Sequence, residues 1–562
     1  MSALHPFIPF LIGALLAGLL RGPLRSALVL ATPLIGGYLL WLTPLGTQSQ
    51  MLFMGMELMP YRVDQLSLVF GYIFHIAGFI GVLYALHVKD SLQQVSALLY
   101  AGSAIGAVFA GDLLTLFIFW ELLALSSVFL IWARRSERSF RAGQRYLIIQ
   151  VLSGVLLLGG ALLHYRNSGS LAFDFIGLGG LSGWLIFLAF GIKCAFPLLH
   201  NWLTDAYPEA TPTGTVFLSA FTTKVAVYAL ARGYPGTELL VYIGVTMACF
   251  PIFFAVIEND LRRVLAYSMI NQIGFMVVGI GIGTALALNG AVSHAFNDIL
   301  FKGLLFMSMG AVLQMTGTIN GSALGGLYKT MPKTTILCII GAASISAFPL
   351  FSGFVSKSMV MSAALQEGYH ISWLLLLFSA AGVFHHAGIK IPYFAFFAHD
   401  SGIRTSDPPL NMLLAMALAA AISMFIGVYP WTLYSILPFD TGYNPFDATH
   451  ILTQTQLLFF SALAFVWLNL RGYYPPELPS VNLDAEWFYR RLVPASLGLL
   501  GRYLVPAYRG LIQLISNPWQ RLGPQLLRQQ GPQGLLARAW PSGSMVLWVA
   551  IILATYLLFY YL

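Results

Sequence analysis

A chain of 562 residues that is 58% hydrophobic and 9% charged lies far from soluble domains, in which roughly 25% of residues are charged. Its apolar runs are long and continuous, which excludes the short alternating segments of a membrane β-barrel. The composition predicts an all-α polytopic membrane protein, and the net charge of +8 then has to be explained by topology or by a nucleic-acid surface.

Sixteen stretches approach the roughly 20 residues that a membrane-crossing helix needs. They cover residues 3–20, 26–44, 64–87, 92–110, 112–133, 143–165, 181–203, 212–232, 239–257, 263–283, 286–314, 335–366, 371–397, 411–430, 452–470 and 544–562. The start lacks a basic stretch and a clear small-residue cleavage site, so the first span reads as retained. With the N-terminus outside and strict alternation, 21 of the 29 Lys and Arg residues fall on one side. The other side receives Arg62, Arg166 and Arg232. That asymmetry is the signature of cytoplasmic loops, and it predicts both termini on the non-cytoplasmic side. No nucleic-acid surface is needed to explain the charge. The last five cations, Lys193, Lys224, Lys302, Lys357 and Lys390, lie within spans. Arginine stays protonated, whereas a desolvated lysine can lose its proton. Lysines inside and arginines outside therefore suit a proton relay.

Asp64 and His75, in the early spans, read as local polar contacts. Glu121 lies nine residues into the fifth span, near mid-membrane, where a lone carboxylate pairs or protonates. Lys193, also mid-span, is its expected partner, as a fixed structural pair or as a responsive one. The run Gly191-Ile-Lys-Cys-Ala-Phe-Pro-Leu-Leu-His200 places Pro197 four residues beyond that lysine. Proline removes a backbone donor, and such a break within a membrane is tolerated only against protein or a water-filled cavity. Lys224 sits at mid-depth of the eighth span. His294, Asp298 and Lys302 are spaced by four in the eleventh span, which keeps them near one helical face. They read as a relay stripe or as a self-neutralising Asp298–Lys302 pair with a hydrogen-bonded histidine; no metal-ligand set accompanies them. The twelfth span repeats Ala195-Phe-Pro-Leu198 as Ala347-Phe-Pro-Leu350, with Pro349, Gly353 and then Lys357. Interrupted helices at matching places in two halves indicate a repeat-built transporter with its path at the breaks. Lys390 lies near the cytoplasmic end of its span, where it could snorkel. Residues 471–543 mix apolar and basic positions and read as interfacial amphipathic helices, or as a linker, before a terminal anchor at 544–562.

In combination, Gly111-Asp-Leu with Glu121, Lys193 with Phe-Pro-Leu-Leu-His-Asn-Trp-Leu, Lys224, Leu265-Ala-Tyr-Ser, His294 with Phe301-Lys-Gly-Leu-Leu-Phe, and Phe348-Pro-Leu with Lys357 resemble a known family over about residues 60–430. It comprises the antiporter-like subunits of respiratory complex I and the D-type subunit of multisubunit Mrp cation/proton antiporters. The text around Lys390 and Gly427-Val-Tyr-Pro is most similar to the Mrp D side. The resemblance implies two inverted five-helix repeats, each with a discontinuous helix, at 92–232 and 233–397. These are flanked by spans in 1–91 and 398–470. It implies a Glu121–Lys193 pair, Lys224 as the next relay, His294 and Lys302 beyond it, and Lys357 as the terminal group, with Asp298, Lys390 and His200 as secondary candidates. The expected function is proton translocation within a multisubunit Na⁺/H⁺ antiporter of a bacterial cytoplasmic membrane, with other membrane subunits as partners and no cofactor. The alternative is a proton-pumping module of a redox-driven complex related to complex I or a membrane-bound hydrogenase. The chain departs from the family in Leu203-Thr-Asp205, where Leu-Pro-Asp is usual, and in its long C-terminal addition. A quinone enzyme finds no cofactor motif in the sequence, and a mere scaffold does not account for mid-membrane lysines.

Overall fold

The computed structural model describes residues 5–478, 482–532, 534 and 541–561. Met1 to Leu4, from which the retained start was read, and Arg538, one of the basic residues sorted to the cytoplasmic side, lie outside the described residues. The helices in chain order are α1 Ile8–Leu19, α2 Gly22–Trp41, α3 Gln65–Tyr84, α4 Ser91–Phe109, α5 Leu113–Trp132, α6 Glu137–Ser168, α7 Gly180–Lys193, α8 Asn201–Ala206, α9 Gly214–Ala220, α10 Thr222–Gly233, α11 Leu239–Ile257 and α12 Leu261–Ile282. There follow α13 Ala285–Thr316, α14 Pro332–Ile345, α15 Ser352–Gln366, α16 His370–Val383, α17 Leu410–Val428, α18 Trp431–Tyr434, α19 Ala448–Leu470, α20 Val493–Gln530 and α21 Ser542–Tyr561. Among the described residues, 13 helical segments are long and apolar enough to cross a membrane, and three shorter apolar ones, α1, α7 and α14, stand at the remaining predicted spans.

The connection between the second and third spans holds a hairpin absent from the sequence reading, β1 Gln48–Phe53 against β2 Met56–Arg62. Its two-residue turn puts Met54 at φ 50° and Gly55 at φ 79°, the pair of positive angles that matches strand twist.

Two backbone motifs occur twice. Asp112 caps the start of α5 and bridges to Ala172; Asp260 caps the start of α12 and bridges to Asn320. The first lies with Arg62, Asp64, Asp174 and Arg232. Met59 donates to Asp112 at 2.9 Å, and Arg62 pairs with Asp174 at 2.9 Å and with Asp64 at 3.5 Å. The second lies with the opposite set, since Arg262 beside it reaches the carbonyls of Tyr207 and Ala210 next to the Arg134–Glu209 pair. These ion pairs join only groups that the alternation of spans places on one side. The second motif is the helix break. Ala195 and Leu198 have φ of 62° and 68°, and Ala347 and Leu350 have 59° and 70°. In each break the phenylalanine N–H reaches back five residues, Phe196 to Gly191 at 3.0 Å and Phe348 to Ala343 at 3.1 Å. Two non-glycine residues in the left-handed region are costly, so each proline-centred turn is held by its surroundings.

Gly353 shows how tightly the second break is built, because a Cβ there would collide with the Ser344 carbonyl across the gap. Gly353→Ala should therefore lower stability by about 1–3 kcal/mol, read as a lower melting temperature of the detergent-purified protein; an unchanged melting temperature would refute this packing.

The chain divides into two units at Asn482/Leu483. Residues 471–478 and Asn482, which the sequence places in the amphipathic segment, belong to the first unit instead. Asn482 donates to Glu258 at 3.2 Å and Glu477 pairs with Lys390. The second unit holds α20, a single 38-residue helix that carries Arg502, Arg509, Gln513 and Gln520 along one side, and the apolar α21.

Candidate functional site

All five intramembrane lysines are buried, at 0–1% exposure, so each must find its partners within the protein. Lys193 is the last residue of α7, at the first break. Its ammonium donates to the Trp120 carbonyl at 2.5 Å and lies 4.6 Å from the centre of the Trp120 ring. Trp120 is itself fixed, its indole N–H donating to Ser153 at 2.9 Å and Ser153 to the Ala189 carbonyl at 2.7 Å. Glu121, next along α5, does not touch Lys193. Among the described residues no ion pair within 4.0 Å joins them, and Oε1 of Glu121 has no hydrogen-bond partner. The direct pair expected from the sequence is thus open in this structure, because the lysine is held by the neighbouring carbonyl and ring. Glu121 faces Gly154 of α6, where a Cβ would overlap its carboxylate.

The closed ion pair lies elsewhere. Lys224 meets Asp298 at 2.7 Å with both side chains at 0% exposure, and Lys224 also donates to the Ser219 carbonyl at 3.0 Å. That carbonyl is free because the eighth predicted span is interrupted at Phe221, between α9 and α10, a third break that no proline announces. Asp298 therefore does not neutralise Lys302. Four residues apart on one helix, Asp298 points to α10, while Lys302 donates to Ser268 of α12 at 2.8 Å. His294 is held from two helices, Nδ1 to Ser356 at 3.0 Å and Nε2 to Gln272 at 3.1 Å. The hydrogen bonds run on from Gln272 to Asn271 at 2.7 Å and from Asn271 to Ser379 at 2.8 Å. A neutral ring can donate at Nε2 and accept from Ser356 at Nδ1, and a charged ring can donate at both. His294 can take or release a proton without exchanging partners. Lys357, on α15, donates to the Ile345 carbonyl at the end of α14, 3.2 Å away, and sits 4.9 Å from the Phe275 ring centre.

Lys390 is different. It ends a π-helical stretch, Phe384–Lys390, and its ammonium meets the carbonyls of Ala255 at 3.2 Å, Val256 at 2.7 Å and Glu258 at 2.7 Å, with Glu477 at 2.8 Å. It thus caps the C-terminus of α11 and neutralises Glu477, where the sequence suggested snorkelling. Lys390→Met should cost about 3–5 kcal/mol of stability by stranding Glu477, and Glu477→Gln in the same chain should recover part of it. Thermal unfolding of the two variants checks this, and equal melting points for Lys390→Met and the native protein would refute the clamp. His200 packs its ring on Phe250 at 4.7 Å, at the start of α8.

Pro197, Pro349 and Gly353 stand at the breaks as expected. Sequence reasoning missed Ser268, Gln272, Asn271 and Ser356. The first three lie in or beside Leu265-Ala-Tyr-Ser-Met-Ile-Asn-Gln272, and three polar residues within five positions of a span were the available signal.

Residues 110–384 match the family described as NADH:quinone oxidoreductase/Mrp antiporter, transmembrane. The chain is 30% identical over 422 residues to the A-type subunit of the Na(+)/H(+) antiporter of Alkalihalophilus pseudofirmus, covering 66% of this chain and 52% of that one. To the D-type subunit of the same antiporter it is 31% identical over 309 residues, 50% of this chain and 62% of the other. To hydrogenase-4 component B of Escherichia coli it is 30% identical over 353 residues, 55% and 52% of the two chains. The chain spans about half the length of the first and third of these relatives and less than two thirds of the second. Among solved structures, the Mrp complex from Dietzia sp. DQ12-45-1b aligns over 97% of this chain and 65% of its own, with TM-score 0.76 and 25% identity. An archaeal membrane-bound sulfane sulfur reductase aligns over 98% and 99%, with TM-score 0.72, and at 23% identity shares the fold.

Proposed function

Because residues 110–384 form a NADH:quinone oxidoreductase/Mrp antiporter membrane domain, we propose that this chain is the proton-translocating subunit of a multisubunit monovalent cation/proton antiporter in a bacterial cytoplasmic membrane. One observation supports the reading: Lys224 of α10 and Asp298 of α13, both at 0% exposure, form an ion pair, which on this reading is the central step between the two repeats. The doubled Asp-capped bridges and doubled breaks support two copies inverted about the membrane plane. Glu121 and Lys193 stand at one end of the series, Lys302 and His294 follow the central pair, and Lys357 stands at the second break. Sodium is the cation named for two relatives and the one proposed here.

The chemistry is a sequence of exchanged partners. Lys193 leaves the Trp120 carbonyl for the free carboxylate of Glu121, and the local field at Lys224–Asp298 changes. Charges buried in low-dielectric surroundings act on one another more strongly than in water. A shift of one pKa unit is worth about 1.4 kcal/mol, and one charge crossing 100 mV about 2.3 kcal/mol. Small rearrangements of a single pair are therefore of the size needed to move a proton against a membrane potential.

A second reading, a proton-pumping module of a redox-driven complex, is favoured by the hydrogenase-4 relative. Purifying the tagged chain from its native membrane, identifying its partners and measuring Na⁺- and K⁺-dependent proton movement in everted vesicles tests both. Antiporter partners with cation-dependent collapse of a pH gradient support the first. Redox partners with cation-independent pumping replace it by the second, and proton movement in neither assay sinks both.

A further inference from the structure

Glu121 needs a proton source, and the structure holds a polar column that ends at its carboxylate. At the outer end, Arg145 of α6 grips Asp205 of α8 through two hydrogen bonds of 2.7 and 3.0 Å. Arg145 is 32% exposed, so this end meets solvent. One residue further, the Tyr146 ring packs on Trp202 at 5.6 Å and its hydroxyl meets Ser127 at 2.7 Å. One turn deeper is Gln150, at 0% exposure, whose amide oxygen and nitrogen both lack a hydrogen-bond partner among the described residues. A further turn brings Gly154, whose missing side chain leaves the space that the Glu121 carboxylate enters. Steps of four place Tyr146, Gln150 and Gly154 near one face of α6, about 12 Å from end to end. Asn201 opens α8 next to Trp202, the residue whose ring packs on Tyr146. Asn201 is 2% exposed, and both groups of its amide are also without partners among the described residues. Two buried amides with nothing bonded to either end are rare in folded proteins, and bound water is their usual partner.

We infer that Gln150 and Asn201 bind water in a column along α6 that delivers protons from the Arg145–Asp205 face to Glu121. The inference rests on the proton-carrying role of Glu121 and Lys193. In each passage one proton leaves hydronium at the outer end and one arrives on the Glu121 carboxylate. The amide oxygen accepts and the amide N–H donates to water throughout, so neither amide gains or loses a proton. Tyr146 and Ser127 orient the outer part of the column, and Gly154 keeps its inner end open.

The test uses proton transport in everted vesicles that carry the chain with its native partner subunits. Gln150→Leu, close in volume but apolar, plugs the column and should slow transport about tenfold or more, a barrier increase of about 1.4 kcal/mol. Gln150→Ser leaves polar space for water and should retain most of the rate. A residue needed only for packing predicts the reverse order, since serine leaves the larger cavity, and that order overturns the proposal, as does full transport in Gln150→Leu. Lys193→Ala runs beside them. If it transports normally, the underlying reading falls; if it is silent while Gln150→Leu is active, only the column falls.

Discussion

Asp298→Ala abolishes proton transport and lowers stability by about 3–5 kcal/mol, the usual consequence of leaving one member of a buried ion pair without its partner. The effect is large because Lys224 has little else to turn to. Its other contact is the neutral Ser219 carbonyl, and both side chains of the pair are at 0% exposure. The stability loss and the transport loss have different origins, and a double variant separates them. Asp298→Leu with Lys224→Met removes both charges and refills the site, so the melting temperature returns close to the native value. Transport stays absent on the proposed reading, in which this pair carries the proton and the double variant leaves no acceptor there. Thermal unfolding in detergent and proton movement in everted vesicles measure the two quantities separately. Native transport in the double variant would show that the central pair only holds the helices together.

The sequence made this site legible where it broke a local rule. A lysine in an apolar run, a proline after it and the same four residues repeated after position 346 located both proline-centred breaks from the residues alone. The structure adds that the two turns share their positive φ angles residue by residue. What stayed hidden depends on direction rather than on residue type. Spacing by four put Asp298 and Lys302 on one face, but it could not say that one reaches α10 and the other α12. The interruption at Phe221 left no mark, since Thr222 and Thr223 continue a helix as readily as they begin one. Lys390 stood apart from its four fellows by lying near the end of its span, which suggested snorkelling, but depth in a span does not distinguish a snorkelling side chain from a cap. Only the carbonyls of residues 255, 256 and 258 around its ammonium do that. The Glu121–Lys193 pair was expected closed because opposite charges at equal depth attract. The carbonyl and ring of Trp120 compete for the same ammonium and hold it in this structure.

That competition leads to the second expected result. Lys193→Ala and Glu121→Ala both abolish cation-coupled proton transport while the chain still assembles, and Lys193→Arg abolishes it as well. The arginine variant is the decisive one. A guanidinium keeps the positive charge, can donate to the Trp120 carbonyl and stacks on the Trp120 ring at least as well as an ammonium. If Lys193 served only as a fixed charge that binds two helices, arginine would replace it and transport would survive. If Lys193 must surrender its proton in each cycle, arginine stalls the cycle in its charged state, since it does not deprotonate in proteins. The expected loss is about a hundredfold or more, the usual contribution of a positioned proton-transfer group, with no change in melting temperature or in recovery of the complex. Glu121→Gln complements it by preserving shape and hydrogen bonding while removing the charge that draws Lys193 away from Trp120. Both silent variants in an intact complex place the proton on Lys193 itself, and an active Lys193→Arg removes it from there.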